Sequence, residues 1–223
     1  WTRGLLSRLR RKGEALPPVP IAVGQPLPDV SVLEVLGDAT REVSSADLLR
    51  KGRHVLVGLP GAFTPTCTDE HLPGFVRDMR TFEQIGAKVH FLATNDAYVI
   101  RAWNESLAAC TGRPGALAGV SYVSDGDAEL SLSLGLLEDF GPELGARTRR
   151  FAMVVQDGKV VHLGVDDGTR SLEHASAEAV LRACGADSTV ARASMEDGEM
   201  QALLGMVAVG AAAYMVISSS LGH

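Results

Sequence analysis

The residues with the clearest potential for chemistry lie between Pro60 and His71, where a lone cysteine, Cys67, follows two prolines and a glycine. Thr64 lies three residues before Cys67 and can bring a hydroxyl close to the sulfur. A cysteine at the start of a helix faces unpaired amides and the positive end of the helix dipole, which favour thiolate over thiol. This pattern therefore predicts a nucleophilic cysteine; the alternative is a small buried apolar side chain.

The segments on either side of Cys67 predict the elements that position it. The run 54–59 is apolar, rich in valine and ended by Pro60-Gly61, which is typical of a short buried strand. After Cys67, apolar side chains recur at steps of three and four residues, at Leu72, Phe75, Met79, Phe82 and Ile85. This period predicts an amphipathic helix over residues 68–85, with Cys67 near its N-terminus.

A helical Cys67 would place His71 one turn further along the same face, and the pair would form half of a zinc site. This is a weak alternative, because no further ligand residues cluster nearby in the sequence. Cys67 also lacks a Cys-x-x-Cys partner, which argues against a dithiol exchanger of the thioredoxin type. We therefore expect neither a metal nor another cofactor.

Two further segments carry motifs beside the one around Cys67. Residues 94–99 read Thr-Asn-Asp-Ala-Tyr-Val, and residues 150–158 read Arg-Phe-Ala-Met-Val-Val-Gln-Asp-Gly. Together with Pro-Gly-Ala-Phe-Thr-Pro-Thr-Cys at 60–67 and His-Leu-Pro-Gly-Phe at 71–75, they resemble the peroxiredoxins. The likeness is to the subfamily called peroxiredoxin five or plant type II, and it covers residues 21–184.

The resemblance implies a thiol peroxidase that reduces hydrogen peroxide and alkyl hydroperoxides through a sulfenic acid on Cys67, in antioxidant defence and redox homeostasis. Attack on a peroxide puts negative charge on the departing oxygen, so fixed donors must face that atom. The Thr64 hydroxyl, the Cys67 amide and a guanidinium can supply them. Arg147, Arg149 and Arg150 are candidates by charge, and only Arg150 matches the family position.

Two further expectations concern this site. The resemblance implies that Pro60 shields the sulfenate. The alternative function is a thiol redox sensor or holdase, which would pass the oxidation of Cys67 to a protein partner. The peroxidase is favoured because Thr64, Cys67 and Arg150 are all present, and a sensor would not need every donor.

The sulfenic acid must be reduced by a second thiol. Many members of the subfamily it resembles carry a resolving cysteine in the loop after Asp167-Gly168-Thr169, and the plant type II pattern instead has one in the strand before Asn95. Both positions lack a cysteine here. Cys110 and Cys184 each end a predicted helix and are expected to be structural. The prediction is a one-cysteine cycle with glutathione/glutaredoxin or thioredoxin as reductant; resolution through Cys110 or Cys184 is the alternative.

The alternating strand and helix patterns support the thioredoxin-like α/β sandwich that the resemblance implies, with a central mixed sheet that is parallel in the middle and has an antiparallel edge. The strand-like runs are 30–36, 40–43, 54–59, 88–94, 120–123, 151–156 and 159–165. The helical patterns are 46–51, 68–85, 96–109, 128–134 and 175–183. Asp157-Gly158 is a strong signal for a hairpin between the last two strands.

Length and composition agree with one enzyme domain plus tails. The chain has 223 residues and a net charge of −6, which gives no basic surface for nucleic acid. Its three cysteines have no paired spacing, so they suit a reducing compartment rather than a disulfide-linked secreted domain.

Residues 1–20 form a basic N-terminal tail in which five basic residues precede Glu14. Leu5, Leu6 and Leu9 can share a helical face, so the tail resembles a targeting segment for mitochondrion or plastid. A disordered tail on a cytoplasmic protein is the alternative. The chain begins at Trp1 rather than methionine, which is the pattern of a fragment or a processed form.

A polar linker, 185–201, precedes twenty residues without charge at 202–221. We expect this segment to be an apolar helix, and at about 1.5 Å per residue it would span the hydrocarbon core of a bilayer as a tail anchor. Five alanines, three serines and two glycines make it only modestly apolar. The alternatives are a helix that covers an apolar patch or a contact in a homodimer.

Overall fold

The computed structural model of the protein describes residues 19–110, 117 and 120–186. The predicted C-terminal helix at 202–221, and almost all of the N-terminal tail and the linker, lie outside these residues and stay predictions. Within the described ranges, no helix combines the length and apolarity needed to cross a membrane.

A mixed sheet of seven strands forms the centre of the described part of the chain, in the order β2-β1-β5-β4-β3-β8-β9. These strands are β1 (Ser31–Leu36), β2 (Ala39–Ser44), β3 (Arg53–Gly58), β4 (Ala87–Ala93), β5 (Ser121–Ser124), β8 (Phe151–Gln156) and β9 (Lys159–Val165). Two short strands, β6 (Leu137–Asp139) and β7 (Ala146–Thr148), form a separate sheet. β3, β4 and β5 are parallel, and antiparallel pairs flank them on both sides. The predicted mixed sheet is confirmed, with two antiparallel flanks instead of one edge.

Along the chain, the helices of the described residues lie between these strands, except the last helix, which follows β9. They are α1 (Ser45–Leu48), a π-helical turn (Cys67–His71), α2 (Leu72–Arg77), α3 (Met79–Gln84), α4 (Ala97–Cys110), α5 (Glu129–Ser133), α6 (Gly141–Leu144) and α7 (Ala177–Ala183). The single helix predicted over 68–85 is thus wrong, because three helical segments occupy that range. Pro73 lacks an amide proton in the first turn of α2, and Asp78, at φ −94° and ψ 10°, ends it.

Both faces of the sheet are buried. Val55 and Val57 of β3 pack on one face with Phe75 and Trp103, beneath the helices that follow Cys67 and Asp96. Leu56, between the two valines, belongs to a second apolar cluster on the opposite face. Alternating side chains of a strand point to opposite faces, so a strand covered on both sides reads as the continuous apolar run seen in the sequence.

The pairing of β3 with β8 determines where the site forms. These strands are antiparallel, with Gly58 opposite Phe151. The end of β3, which leads to Cys67, therefore lies beside the start of β8, which Arg150 precedes. A Cβ at Gly58 would overlap the ring of Phe151, so a glycine is required for this close approach.

The turn between β8 and β9 agrees with the hairpin predicted at Asp157-Gly158. The φ angles of the two residues are 50° and 77°, the left-handed conformation that such a two-residue turn needs. By contrast, β6 and β7 have no clear signal in the sequence, because three residues are too few for a period of two to be recognised.

Candidate active site

Cys67 begins the π-helical turn and is completely buried. The Leu72 amide donates to the Cys67 carbonyl, the spacing of five residues that defines a π turn. The indole nitrogen of Trp103, in α4, donates to the Thr68 hydroxyl at 3.2 Å. The turn that carries the sulfur is thereby tied to a neighbouring helix.

Arg150 is also completely buried, and its guanidinium lies directly against the sulfur. Its Nη1 donates to Cys67 Sγ at 3.4 Å and to His71 Nδ1 at 2.9 Å, and its Nη2 donates to the Thr169 carbonyl at 2.7 Å. Nε is buried without a hydrogen-bond partner. No carboxylate of the described residues lies within ion-pair distance of this guanidinium, so a thiolate would be its nearest counter-charge.

His71 connects Arg150 to the loop before α7. Its Nε2 bonds the Ala175 carbonyl at 2.8 Å; because a carbonyl only accepts, Nε2 carries the proton and Nδ1 accepts from Arg150. Burial, and then the charge of Arg150, lower the pKa of His71 to about 3, so the ring is neutral at physiological pH. Both ring nitrogens are therefore occupied.

The zinc alternative gains no further ligand from the fold. Among the described residues, no group of three or more His, Cys, Asp or Glu side chains could hold a metal ion. The side chain nearest to His71 Nδ1 is instead the cationic Arg150, which would repel a metal ion.

Thr64 and Pro60 lie in the loop between β3 and the π-helical turn. The Thr64 hydroxyl donates to the Gly61 carbonyl at 2.8 Å, and the Thr64 carbonyl accepts from the Thr68 amide at 2.9 Å. Its hydroxyl proton is used within the loop, so Thr64 in this conformation offers acceptor lone pairs to a substrate. This differs from the donor role expected from the sequence. Pro60 is buried.

The second sequence motif, Thr94 to Val99, supports this loop from the adjacent strand. Asn95 Oδ1 accepts from the Ala62 amide at 2.9 Å, and the Asn95 carbonyl accepts from the Ser124 hydroxyl at 2.8 Å. Asp96 caps the start of α4 through the amides of the two following helical residues, Tyr98 and Val99. The motif thus shapes the loop that precedes Cys67.

The two other cysteines are near the far ends of two elements, β3 and α4, whose opposite ends adjoin the loop before Cys67. The charge of Arg53, at the first residue of β3, acts on the Cys184 thiol, whose pKa is raised by burial. β3 then runs for about 17 Å before it leads towards Cys67. The backbone of Cys110 ends α4, about 20 Å from the start of that helix beside Asn95.

Sequence patterns do not mark two residues that contact the buried side chains of this site, Thr169 and Ala175. Thr169 and Ala175 contribute carbonyl groups, and every residue has a carbonyl, so their types carry no signal. From the sequence, the only role expected of the His71 side chain is that of a zinc ligand, although its spacing of four from Cys67 places both residues on one helical face.

The chain is similar to known proteins over this whole region. The redoxin family model matches residues 22–181. Peroxiredoxin-2E-2, chloroplastic, of Oryza sativa subsp. japonica is 37% identical over 169 residues, which cover 73% of this chain and 72% of the rice protein. Peroxisomal membrane associated protein 20 of Schizosaccharomyces pombe is 32% identical, over 72% of this chain and 97% of the yeast protein.

A solved structure gives the same result. Reduced Prx3 from Vibrio vulnificus, in complex with hydrogen peroxide, has a TM-score of 0.66 and 31% identity, covering 74% of this chain and 96% of that chain. The predicted thioredoxin-like fold is thereby confirmed. The chain belongs to the redoxin family and is a peroxiredoxin, a thiol peroxidase with relatives of the plant type II class.

Proposed function

We propose that this peroxiredoxin reduces hydrogen peroxide and small alkyl hydroperoxides with Cys67 as the attacking thiolate. The observation that carries the proposal is the contact of 3.4 Å between Arg150 Nη1 and Cys67 Sγ, both wholly buried. A guanidinium cannot lose its proton under physiological conditions, so it favours the anionic form of a neighbouring sulfur. The complex of the Vibrio vulnificus relative with hydrogen peroxide supports this choice of substrate.

The proposed step is a displacement at oxygen. The Cys67 thiolate attacks one peroxide oxygen, the S–O bond forms as the O–O bond breaks, and the other oxygen leaves with the electron pair. That oxygen takes up a proton and departs as water or an alcohol, while the sulfur becomes a sulfenic acid. Arg150 and the Cys67 amide donate to the developing charge, Thr64 accepts the peroxide O–H, and Pro60 shields the sulfenate.

The sulfenic acid is then reduced by an external thiol in a one-cysteine cycle. The thiol attacks the sulfenic sulfur and releases water, and a second thiol of the reductant frees Cys67 from the mixed disulfide. Glutathione with glutaredoxin, or thioredoxin, would supply these thiols. The lengths of β3 and α4 support this cycle, because Cys184 and Cys110 are associated with the ends of these elements that lie away from the loop before Cys67.

Exposed apolar side chains support a homodimer, and two relatives support a location in an organelle. Phe63, in the loop before Cys67, is 53% exposed, and Tyr98, in the first turn of α4, is 80% exposed. The Ala62–Asn95 bond joins the segments that carry them, and the two side chains would form an apolar contact in a homodimer. The chloroplastic rice relative and the peroxisomal membrane associated yeast relative support an organelle, with the cytoplasm as alternative. Residues 21–184 would be the peroxidase domain.

Peroxide consumption by the purified protein tests the proposal, with glutathione/glutaredoxin and thioredoxin supplied separately. We expect turnover by the wild type, none by Cys67→Ser, and wild-type turnover by Cys110→Ser and Cys184→Ser. Absence of turnover with both reductants would overturn the peroxidase. Loss of turnover in Cys110→Ser or Cys184→Ser would overturn the one-cysteine cycle.

A further inference from the structure

Residues 166–175, here called the Asp166 loop, supply both backbone carbonyls that hold the buried side chains beside Cys67. The Thr169 carbonyl accepts from Arg150 Nη2 at 2.7 Å, and the Ala175 carbonyl bonds His71 Nε2 at 2.8 Å. The loop is neither helix nor strand. Since no regular ladder of backbone hydrogen bonds fixes these carbonyls, other contacts must fix them.

Asp166 makes those contacts. Its carboxylate is buried and accepts from the amides of Glu173, His174 and Ala175 at 2.9–3.1 Å. Its own amide donates to the Arg150 carbonyl at 2.9 Å. One residue therefore ties the far end of the loop to the backbone of Arg150. Hydrogen bonds to an ionised carboxylate are about twice as strong as neutral ones.

Gly164 in β9 supports the loop from a second direction. A Cβ at this position would overlap the carbonyl group of His174, so the loop packs directly against the strand backbone. Only glycine permits this approach without displacing the chain. The loop is thus held by the Asp166 carboxylate and by close packing on β9.

We propose that Asp166 is a positioning residue for the peroxidase reaction, because it holds the loop whose carbonyls keep Arg150 aligned on Cys67. This inference rests on the proposed roles of Arg150 and Cys67. Asp166 does not touch the sulfur itself; it acts through the loop and the guanidinium. Misplacement of a catalytic group by about 1 Å can lower a rate by about a hundredfold, so such support has a measurable effect.

The first test is Asp166→Asn, which keeps the size of the side chain but replaces one acceptor oxygen with an amide group. We expect the second-order rate constant with hydrogen peroxide to fall by about tenfold to a hundredfold.

The matched control is Asp167→Asn, since Asp167 is the next residue but is exposed and bonds Arg149 instead. It should stay within about twofold of the wild type. Equal rates for the two variants would overturn the inference.

A double-mutant cycle separates positioning from general destabilisation. In an Arg150→Lys background, Asp166→Asn should cause little further loss, because its effect passes through Arg150. An equal loss in both backgrounds would mean that Asp166 acts only on overall stability, and would overturn the inference.

Two further measurements apply even if Asp166→Asn does not fold. Gly164→Ala should displace the loop from the β9 side and lower the same rate constant, whereas Gly74→Ala, where a Cβ meets nothing within 4 Å, should not. In the wild type, the amides of Glu173, His174 and Ala175 should exchange slowly with solvent. Exchange as fast as in an exposed loop would overturn the inference, whereas an inactive wild type with slow exchange would overturn only the proposed function.

Discussion

At the scale of single residues, the site consists of a buried cation held between a sulfur and a neutral histidine. Nη1 of Arg150 bonds both Cys67 Sγ and His71 Nδ1. The second bond exists only while Nδ1 carries no proton, and the lowered pKa of His71 keeps it so above about pH 3. The histidine thus orients the guanidinium without adding a competing positive charge.

The importance of the guanidinium fork is tested by Arg150→Lys. Lysine keeps the charge but cannot reach the sulfur, His71 and the Thr169 carbonyl from one planar group. We expect the second-order rate constant with hydrogen peroxide, measured by stopped flow, to fall by about a hundredfold to a thousandfold.

Arg149→Lys is the matched control, because Arg149 is partly exposed and pairs with Glu138 and Asp167. It should change the rate constant by less than about twofold. Similar rates for the two variants would show that charge alone is sufficient.

At the scale of secondary structure, the π-helical turn is held from two sides. Trp103 bonds Thr68 on one side, and His71 bonds the Ala175 carbonyl on the other. Because Cys67 is wholly buried, a reagent or protein reductant can reach its sulfur only when this turn opens.

Thr68→Val tests the first of these bonds, since it removes the hydroxyl and keeps the shape of the side chain. Loss of one hydrogen bond of about 1 kcal/mol would raise the open population, and the rate of Cys67 modification by a disulfide reagent, about fivefold. Glu70→Gln, exposed in the same turn, should react within about twofold of the wild type. Unchanged modification of Thr68→Val would show that this bond does not hold the turn.

At the scale of the whole molecule, buried ionisable groups link stability to pH. Burial lowers the pKa of both His71 and His90 to about 3. Between the unfolded value of about 6.5 and pH 3, the unfolded chain binds more protons at these sites, so their contribution to stability is lost as the pH falls. Burial raises the pKa of Asp125 to about 6, which has the opposite sign and offsets part of this loss.

His90→Gln tests this linkage. Removal of the buried His90 imidazole should reduce the slope of the unfolding free energy against pH between pH 6.5 and 4. The reduction should be at most about 1.4 kcal/mol per pH unit. Urea unfolding at several pH values measures it, with His174→Gln as the exposed-histidine control. Equal slopes for His90→Gln and the wild type would contradict the assignment.

The C-terminal segment is tested by carbonate extraction of the tagged protein, with and without residues 201–223. If 202–221 is a tail anchor, the full chain stays with the membrane pellet and the truncated chain is extracted. Extraction of both would favour a helix that covers an apolar patch or a homodimer contact. In either case the twenty uncharged residues are buried, in a membrane or against protein, because exposing their apolar surface to water costs free energy.

Much of the fold could be predicted from local patterns, and the errors have physical causes. The long strands β3, β8 and β9 and the helix α4 coincide with their apolar periods to within one residue at each end. The helix predicted over 68–85 does not coincide with the observed segments. The spacing of apolar side chains shows which residues face the core, but it does not show whether the helical backbone hydrogen bonds continue. Pro73 and Asp78 interrupt those bonds while the apolar stripe runs on.

Side-chain types and their spacing along the chain are sufficient to show that Cys67 follows a buried strand and begins a helix, and that Arg150 precedes another strand. The bonds from Arg150 to Cys67 and His71 become visible only in the folded chain, because the antiparallel pairing of β3 with β8 brings distant segments together. The same is true of the Asp166 loop. That loop acts through backbone amides and carbonyls, which every residue has, so no sequence pattern can mark them.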